Sequence, residues 1–82
     1  MWTAFPWMAV LQMSEHCIAL IDQLIAERHR QGKTQRQVAQ DAQLTQSVIA
    51  RLESKKAVPQ LDTLLKVAAA LHCNLAVVPV AE

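Results

Sequence analysis

The sequence predicts an all-α domain of four to five helices, followed by a short C-terminal β-strand that pairs across a dimer. Three observations point there. Of the 82 residues 52% are apolar and only one is glycine, a balance that suits packed helices and argues against disorder. Apolar side chains recur at three- and four-residue intervals through the middle of the chain, the period of a helix face. Ser14, Thr34 and Thr45 stand where three of the periodic runs begin, and hydroxyl residues are favoured caps. The stretch 74–80 (NLAVVPV) then turns β-branched, which is strand-like.

Residues 1–13 (MWTAFPWMAVLQM) have no clean period, and Pro6 interrupts them. They read as an apolar arm, either disordered or partner-binding, with Met8 and Met13 as alternative starts. They lack the basic region and cleavage site of a signal peptide and are too short to span a bilayer. The folded domain is expected over residues 14–73. Ser14 caps a first helix, Glu15 to Gln31, whose buried stripe is Ile18, Ile21, Leu24 and Ile25. Gly32 sits where a left-handed residue would end it. Thr34 and Gln37 form a capping box, so a second helix starts at Gln35 with Val38, Ala39 and Ala42 inward. Thr45 caps a third helix, Gln46 to Ser54, with Ile49 and Leu52 inward. Pro59 closes the next loop. A fourth helix is expected from about Leu61 to Leu71, burying Leu61, Leu64, Leu65, Ala68 and Leu71, with Asp62 complementing the dipole in its first turn. Residues 74–82 form the dimerisation strand, with Leu75, Val77, Val78 and Val80 as the pairing residues. Pro79 donates no ladder bond, which leaves one edge free. A lone strand needs a second copy of the chain or the N-terminal arm beside it. A domain this small also gains from a partner chain.

Net charge is only +1, yet it is segregated. Between Arg28 and Lys56 seven cations (Arg28, Arg30, Lys33, Arg36, Arg51, Lys55 and Lys56) face two anions, Asp41 and Glu53, a net +5. The remainder of the chain is acidic. Such a division is what a phosphate-facing surface needs, although a solvated basic face has the same composition. Cys17 and Cys73 read as reduced and structural, in a cytosolic protein. The dipeptide His-Cys occurs twice, as His16-Cys17 and His72-Cys73. Neighbours on a helix point about 100° apart and the usual cysteine spacing is missing, so no metal site is expected. No glycine loop, paired carboxylates or nucleophile with a base suggests catalysis, and no cofactor is expected.

Gln35 to Ser54 (QRQVAQDAQLTQSVIARLES) is two short helices around a tight turn. Val38, Ala42, Leu44, Ile49 and Leu52 fill the angle between them, and small Ala39 allows close approach. Gln46, Ser47, Ala50 and Arg51 are left on the outer face of the second helix. The major groove admits a helix, and Gln suits adenine as Arg suits guanine. Leu24 to Leu75 resembles the helix-turn-helix domain of the lambdoid phage repressor (Xre) family. The resemblance rests on Gly32, Thr34-Gln35, Val38-Ala39, Leu44-Thr45-Gln46-Ser47, Ile49, Arg51-Leu52-Glu53, Pro59 and Thr63-Leu64-Leu65. It implies base-reading positions at Gln46, Ser47 and Arg51, and phosphate or backbone contacts at Thr34, Gln35, Ser54 and Lys56. It also implies a buried ion pair between Arg28 and Glu53. Lys55, next to Lys56, reads as half of a phosphate clamp or as a plain surface lysine. Arg51 has the alternative of pairing with a carboxylate, and Gln46 and Ser47 that of being solvated polar residues. Gln43 and Lys55 stand where the family often carries glycine, which places their turn geometry in question.

The implied function is sequence-specific DNA binding as a cytoplasmic, nucleoid-associated transcriptional repressor. A dimer would bind a roughly palindromic double-stranded operator with half-sites about one helical turn apart. The single domain with a short C-terminal strand resembles antitoxins of the HipB type, which implies a toxin partner, autoregulation of the operon and a homodimer tied by its strands. A free-standing or prophage repressor without a toxin is the alternative, and a protein-interaction adaptor using the apolar arm is a third.

Overall fold

The computed structural model describes residues 14–80. Among these the chain forms four helices: α1 (Glu15–Arg30), α2 (Gln35–Ala42), α3 (Gln46–Ser54) and α4 (Leu61–Ala70). The expected N-terminal arm, residues 1–13, lies outside the described residues. No helix among the described residues is long and apolar enough to cross a membrane.

Local chemistry accounts for each helix start. The Ser14 hydroxyl accepts from the Cys17 N–H at 3.1 Å. Thr34 and Gln37 cap one another: Oγ1 accepts from Gln37 N–H at 3.0 Å, and Gln37 Oε1 accepts from Thr34 N–H at 2.8 Å. Thr45 Oγ1 accepts from Val48 N–H at 3.3 Å. These bonds satisfy amides that have no intrahelical partner. Gln60, at the cap of α4, makes no such bond. There Asp62 offsets the dipole in the first turn and pairs with Lys66 at 3.2 Å.

All four helices end at a left-handed residue: Gly32 (φ 69°), Gln43 (58°), Lys55 (60°) and His72 (60°). At three of these ends two amides fold back in a Schellman turn. Leu44 N–H reaches Ala39 O at 2.8 Å, Lys33 N–H reaches Arg28 O at 3.1 Å, and Cys73 N–H reaches Ala68 O at 2.8 Å. Gln43 and Lys55 thus take the backbone that glycine would have made easy. The left-handed region costs a residue with a Cβ roughly 1–2 kcal/mol. At Gln43 the packing of Leu44 against the core offsets that cost. The left-handed His72 was not anticipated. α1 and α4 each stop one residue short of the expected Gln31 and Leu71, which serve as their caps.

The core is one cluster with α2 in the middle, packed on α3 and α4, while α1 packs on α3. Ile21, Val38 and Ile49 are fully buried, and Ala39, Ala42, Leu24, Leu52, Leu64, Val67, Ala68, Ala70 and Leu71 complete it. The loop between α1 and α2 also holds the end of α4: Gln31 Nε2 donates to Leu71 O at 2.7 Å and Lys33 Nζ to Ala70 O at 3.1 Å.

Two expectations need correction. Leu61 and Leu65 do not belong to the core; they are 66% and 44% exposed. The buried residues of α4 are Leu64, Val67, Ala68 and Ala70, and the cap residue Leu71 is buried after them. Leu61 and Leu65 lie at one edge of the same apolar arc, beyond buried Ala68, where packing on α2 leaves them open to solvent or to a partner. The second correction concerns residues 74–80, which form no strand among the described residues. Leu75 packs against the core, whereas Val77, Val78 and Val80 are exposed. A strand exists by virtue of its ladder, and nothing among the described residues offers these residues one.

Candidate DNA-binding surface

α2, the turn through Gln43 and α3 form two helices held together by Val38, Ala39, Ala42, Ile49 and Leu52, all buried. This packing turns Gln46, Ser47 and Arg51 outward; all three are exposed, and Ala50 is half-buried. A helix with its side chains is about 10–12 Å across, so the exposed side of this nine-residue helix can enter a major groove about 12 Å wide.

The outward face is anchored by a polar chain that crosses three helices. Arg28, on α1, forks onto Glu53, on α3: Nε lies 2.6 Å from Oε2 and Nη2 lies 2.9 Å from Oε1. The two side chains are 12% and 14% exposed. Arg28 Nη1 also donates to Lys33 O at 2.9 Å. Gln35, at the first turn of α2, donates from Nε2 to Glu53 Oε1 at 3.0 Å, and its Oε1 accepts from Gln46 Nε2 at 2.8 Å. Burial pushes the Glu53 carboxyl up, but the hydrogen bonds from Arg28 and Gln35, with the charges of Arg28 and His29, outweigh it and hold the group below its ordinary value. Glu53 is therefore an anion at neutral pH, and it accepts hydrogen bonds only.

The cations divide into two sets. Of the seven between Arg28 and Lys56, four are engaged: Arg28 by Glu53, Arg30 by Glu27, Lys33 by Asp41 at 3.3 Å, and Lys55 by Asp22 at 2.6 Å. The Glu27–Arg30 pair holds the Glu27 carboxyl down to about 2, chiefly through the hydrogen bond from Arg30 and then that from Gln31. Arg36, Arg51 and Lys56 are exposed and make no ion pair among the described residues. Lys55 is thereby a strap from the end of α3 to α1. Arg36 was not singled out from the sequence. The signal was there: a cation in the first turn of α2 opposes the helix dipole, and residues that break a local rule collect at functional sites.

Hydroxyl groups divide in the same way. The Ser54 hydroxyl donates its hydrogen to Arg51 O at 2.6 Å and accepts from Lys56 N–H, so it stiffens the end of α3 and keeps no donor for a phosphate. Thr34 uses an oxygen lone pair for its cap and retains its hydroxyl hydrogen. Among the described residues no three His, Cys, Asp or Glu side chains gather as a metal-ligand set, and Cys17 and Cys73 are free thiols.

Comparison with known proteins agrees with this geometry. Over 62 residues the chain is 42% identical to an uncharacterized HTH-type transcriptional regulator of Haemophilus influenzae, covering 76% of this chain and 63% of that protein. The chain therefore spans somewhat less than two thirds of that relative. A solved toxin–antitoxin module from Streptococcus pneumoniae is similar with a TM-score of 0.67 and 33% identity, over 99% of this chain and 97% of the other. Residues 24–78, more than half of the chain, match the helix-turn-helix family HTH_3, and the chain belongs to that family.

Proposed function

We propose that the protein is a sequence-specific DNA-binding transcriptional repressor, not an enzyme, and that it serves as the antitoxin of a type II toxin–antitoxin pair. The observation that carries the DNA-binding reading is the exposed row Gln46, Ser47 and Arg51 on a helix anchored from behind by Gln35, Glu53 and Arg28. Gln46 and Arg51 read base edges, with Ser47 beside them. Thr34, Gln35, Arg36 and Lys56 hold phosphates on the flanks; Lys55 joins them only when it leaves Asp22.

The antitoxin reading draws on the pneumococcal toxin–antitoxin module, a chain of nearly the same extent. It adds a HipB-type homodimer. Among the described residues, Val77, Val78 and Val80, with Val58, Leu61 and Leu65, are the large apolar side chains that the single chain leaves exposed. Two copies would pair their tails as strands, with Leu75 anchoring each tail to its own domain, and would meet a palindromic operator in the cytoplasm. A free-standing repressor is the second reading, favoured by the Haemophilus relative, whose name mentions regulation alone.

One experiment separates these. The chain is expressed with and without the reading frame next to its gene, and growth, co-purification and operator binding are followed. Growth arrest by the neighbour alone, relieved by this chain in a complex that binds the operon's own promoter, supports the antitoxin. Operator binding with an inert neighbour leaves the repressor reading.

A further inference from the structure

We propose that Glu53 is a specificity-determining residue: acting through Gln35, it sets the sense in which the Gln46 amide is presented to a base. The proposal rests on the reading that Gln46 meets a base edge.

An amide pair such as Gln35–Gln46 has two senses, since either residue can donate to the other. Glu53 removes that freedom. Its carboxylate, held by the Arg28 fork, only accepts, so Gln35 must turn its NH2 toward Oε1, 3.0 Å away. The Gln35 oxygen is then the atom that faces Gln46, and Gln46 must donate to it, as it does at 2.8 Å. One N–H of Gln46 is thereby spent. What remains is an oxygen and one N–H side by side, an acceptor beside a donor. That pattern complements adenine, which offers the N6 donor beside the N7 acceptor. In the opposite sense Gln46 would accept from Gln35 and present both of its N–H groups. Two donors complement guanine, with its O6 and N7 acceptors. The buried ion pair therefore does more than join α1 to α3: it biases one position of the site toward adenine over guanine.

The test is selection of binding sites from a random duplex pool by the full chain, in wild-type form and as variants. Gln46→Ala locates the base pair that Gln46 reads, as the pair whose preference flattens. Glu53→Gln keeps the size of the side chain but donates as readily as it accepts. It is expected to lower the adenine-to-guanine ratio at that pair about fivefold or more, with the other pairs unchanged. Gln35→Ala leaves Arg28–Glu53 intact and cuts the relay; it is expected to relax the same pair, and it decides the matter if Glu53→Gln does not fold. A Gln46→Ala variant that flattens no pair removes Gln46 as a reader, and the proposal with it. A pair that responds to Gln46→Ala but keeps its ratio in the folded Glu53 and Gln35 variants overturns the proposal and leaves the reader in place. Equal loss at every pair shows a purely structural role and overturns it too.

Discussion

Glu53→Ala strips three hydrogen bonds at once, two from Arg28 and one from Gln35. It leaves a guanidinium that is 12% exposed without its counter-ion. Breaking a buried pair from one side costs about 3–5 kcal/mol. Arg28 keeps its bond to Lys33 O and some contact with water, so the low end applies, about 3 kcal/mol. That is a large share of the roughly 5–15 kcal/mol that holds a domain together. At about 4–8 °C per kcal/mol for a domain of this size, the melting temperature should fall by roughly 12–24 °C. The assay is thermal unfolding by circular dichroism of Glu53→Ala, Arg28→Ala and the double variant, read as a double-mutant cycle. The coupling energy should come out at about 2–3 kcal/mol. The exposed pair Lys55–Asp22 serves as the internal comparison, with a coupling of at most about 1 kcal/mol. Equal couplings for the two pairs, or a Glu53→Ala melting temperature within about 4 °C of wild type, would refute the view that this pair locks α1 to α3.

Other outcomes follow from the same geometry. Gln43→Gly and His72→Gly should each stabilise the fold by about 0.5–1 kcal/mol: relief of the left-handed strain exceeds the added chain entropy of glycine. Thermal melts check this, and a loss at both sites would contradict it. Acid should destabilise the protein in a definite window. Glu27 and Glu53 are both held below their ordinary value of 4.5, Glu27 to about 2, so their contributions are complete above that value and are lost as pH falls through the folded-state values. Stability measured by denaturant titration should be level from about pH 7 to 5 and decline below about 4.5, with a smaller decline in Glu53→Ala. Deleting residues 75–82 should shift sedimentation toward monomer and weaken binding to a two-half-site operator while sparing a single half-site. A wild-type protein that sediments as a monomer at micromolar concentration and still binds with full affinity would remove the dimer from the account.

Helix positions were legible because each start is a local event. Ser14, Thr34 and Thr45 carry their caps within three residues, and the inner faces of α2 and α3 follow from spacing alone. The face of α4 was not, because Leu61, Leu64, Leu65, Val67, Ala68 and Leu71 form one continuous apolar arc of roughly 160°, and only packing on α2 selects which part of it is buried. The tail forms no strand in the single chain for a related reason: a β-branched run records a propensity, whereas a ladder needs a neighbour. At the site, the outward placement of Gln46, Ser47 and Arg51 follows from the burial of Ile49 and Leu52 between them. Which cations are engaged does not follow, since Lys55–Asp22 and Lys33–Asp41 join residues 33 and 8 positions apart. The relay from Glu53 to Gln46 was hidden likewise, because its partners sit on separate helices.

The central claim is that α3 reads bases while Arg36 and Lys56 hold phosphates. Its most direct test is a binding series for wild type, Arg51→Ala, Arg36→Ala and Lys56→Ala, on the selected site and on a scrambled duplex, at several salt concentrations. Arg51→Ala should lose about 1–3 kcal/mol on the selected site and little on the scrambled one, with relaxed preference at one base pair. Arg36→Ala and Lys56→Ala should weaken both duplexes alike and lower the salt slope by roughly one unit each. If Arg51→Ala weakens both duplexes equally while Arg36→Ala or Lys56→Ala alters base preference, α3 is not the reading helix.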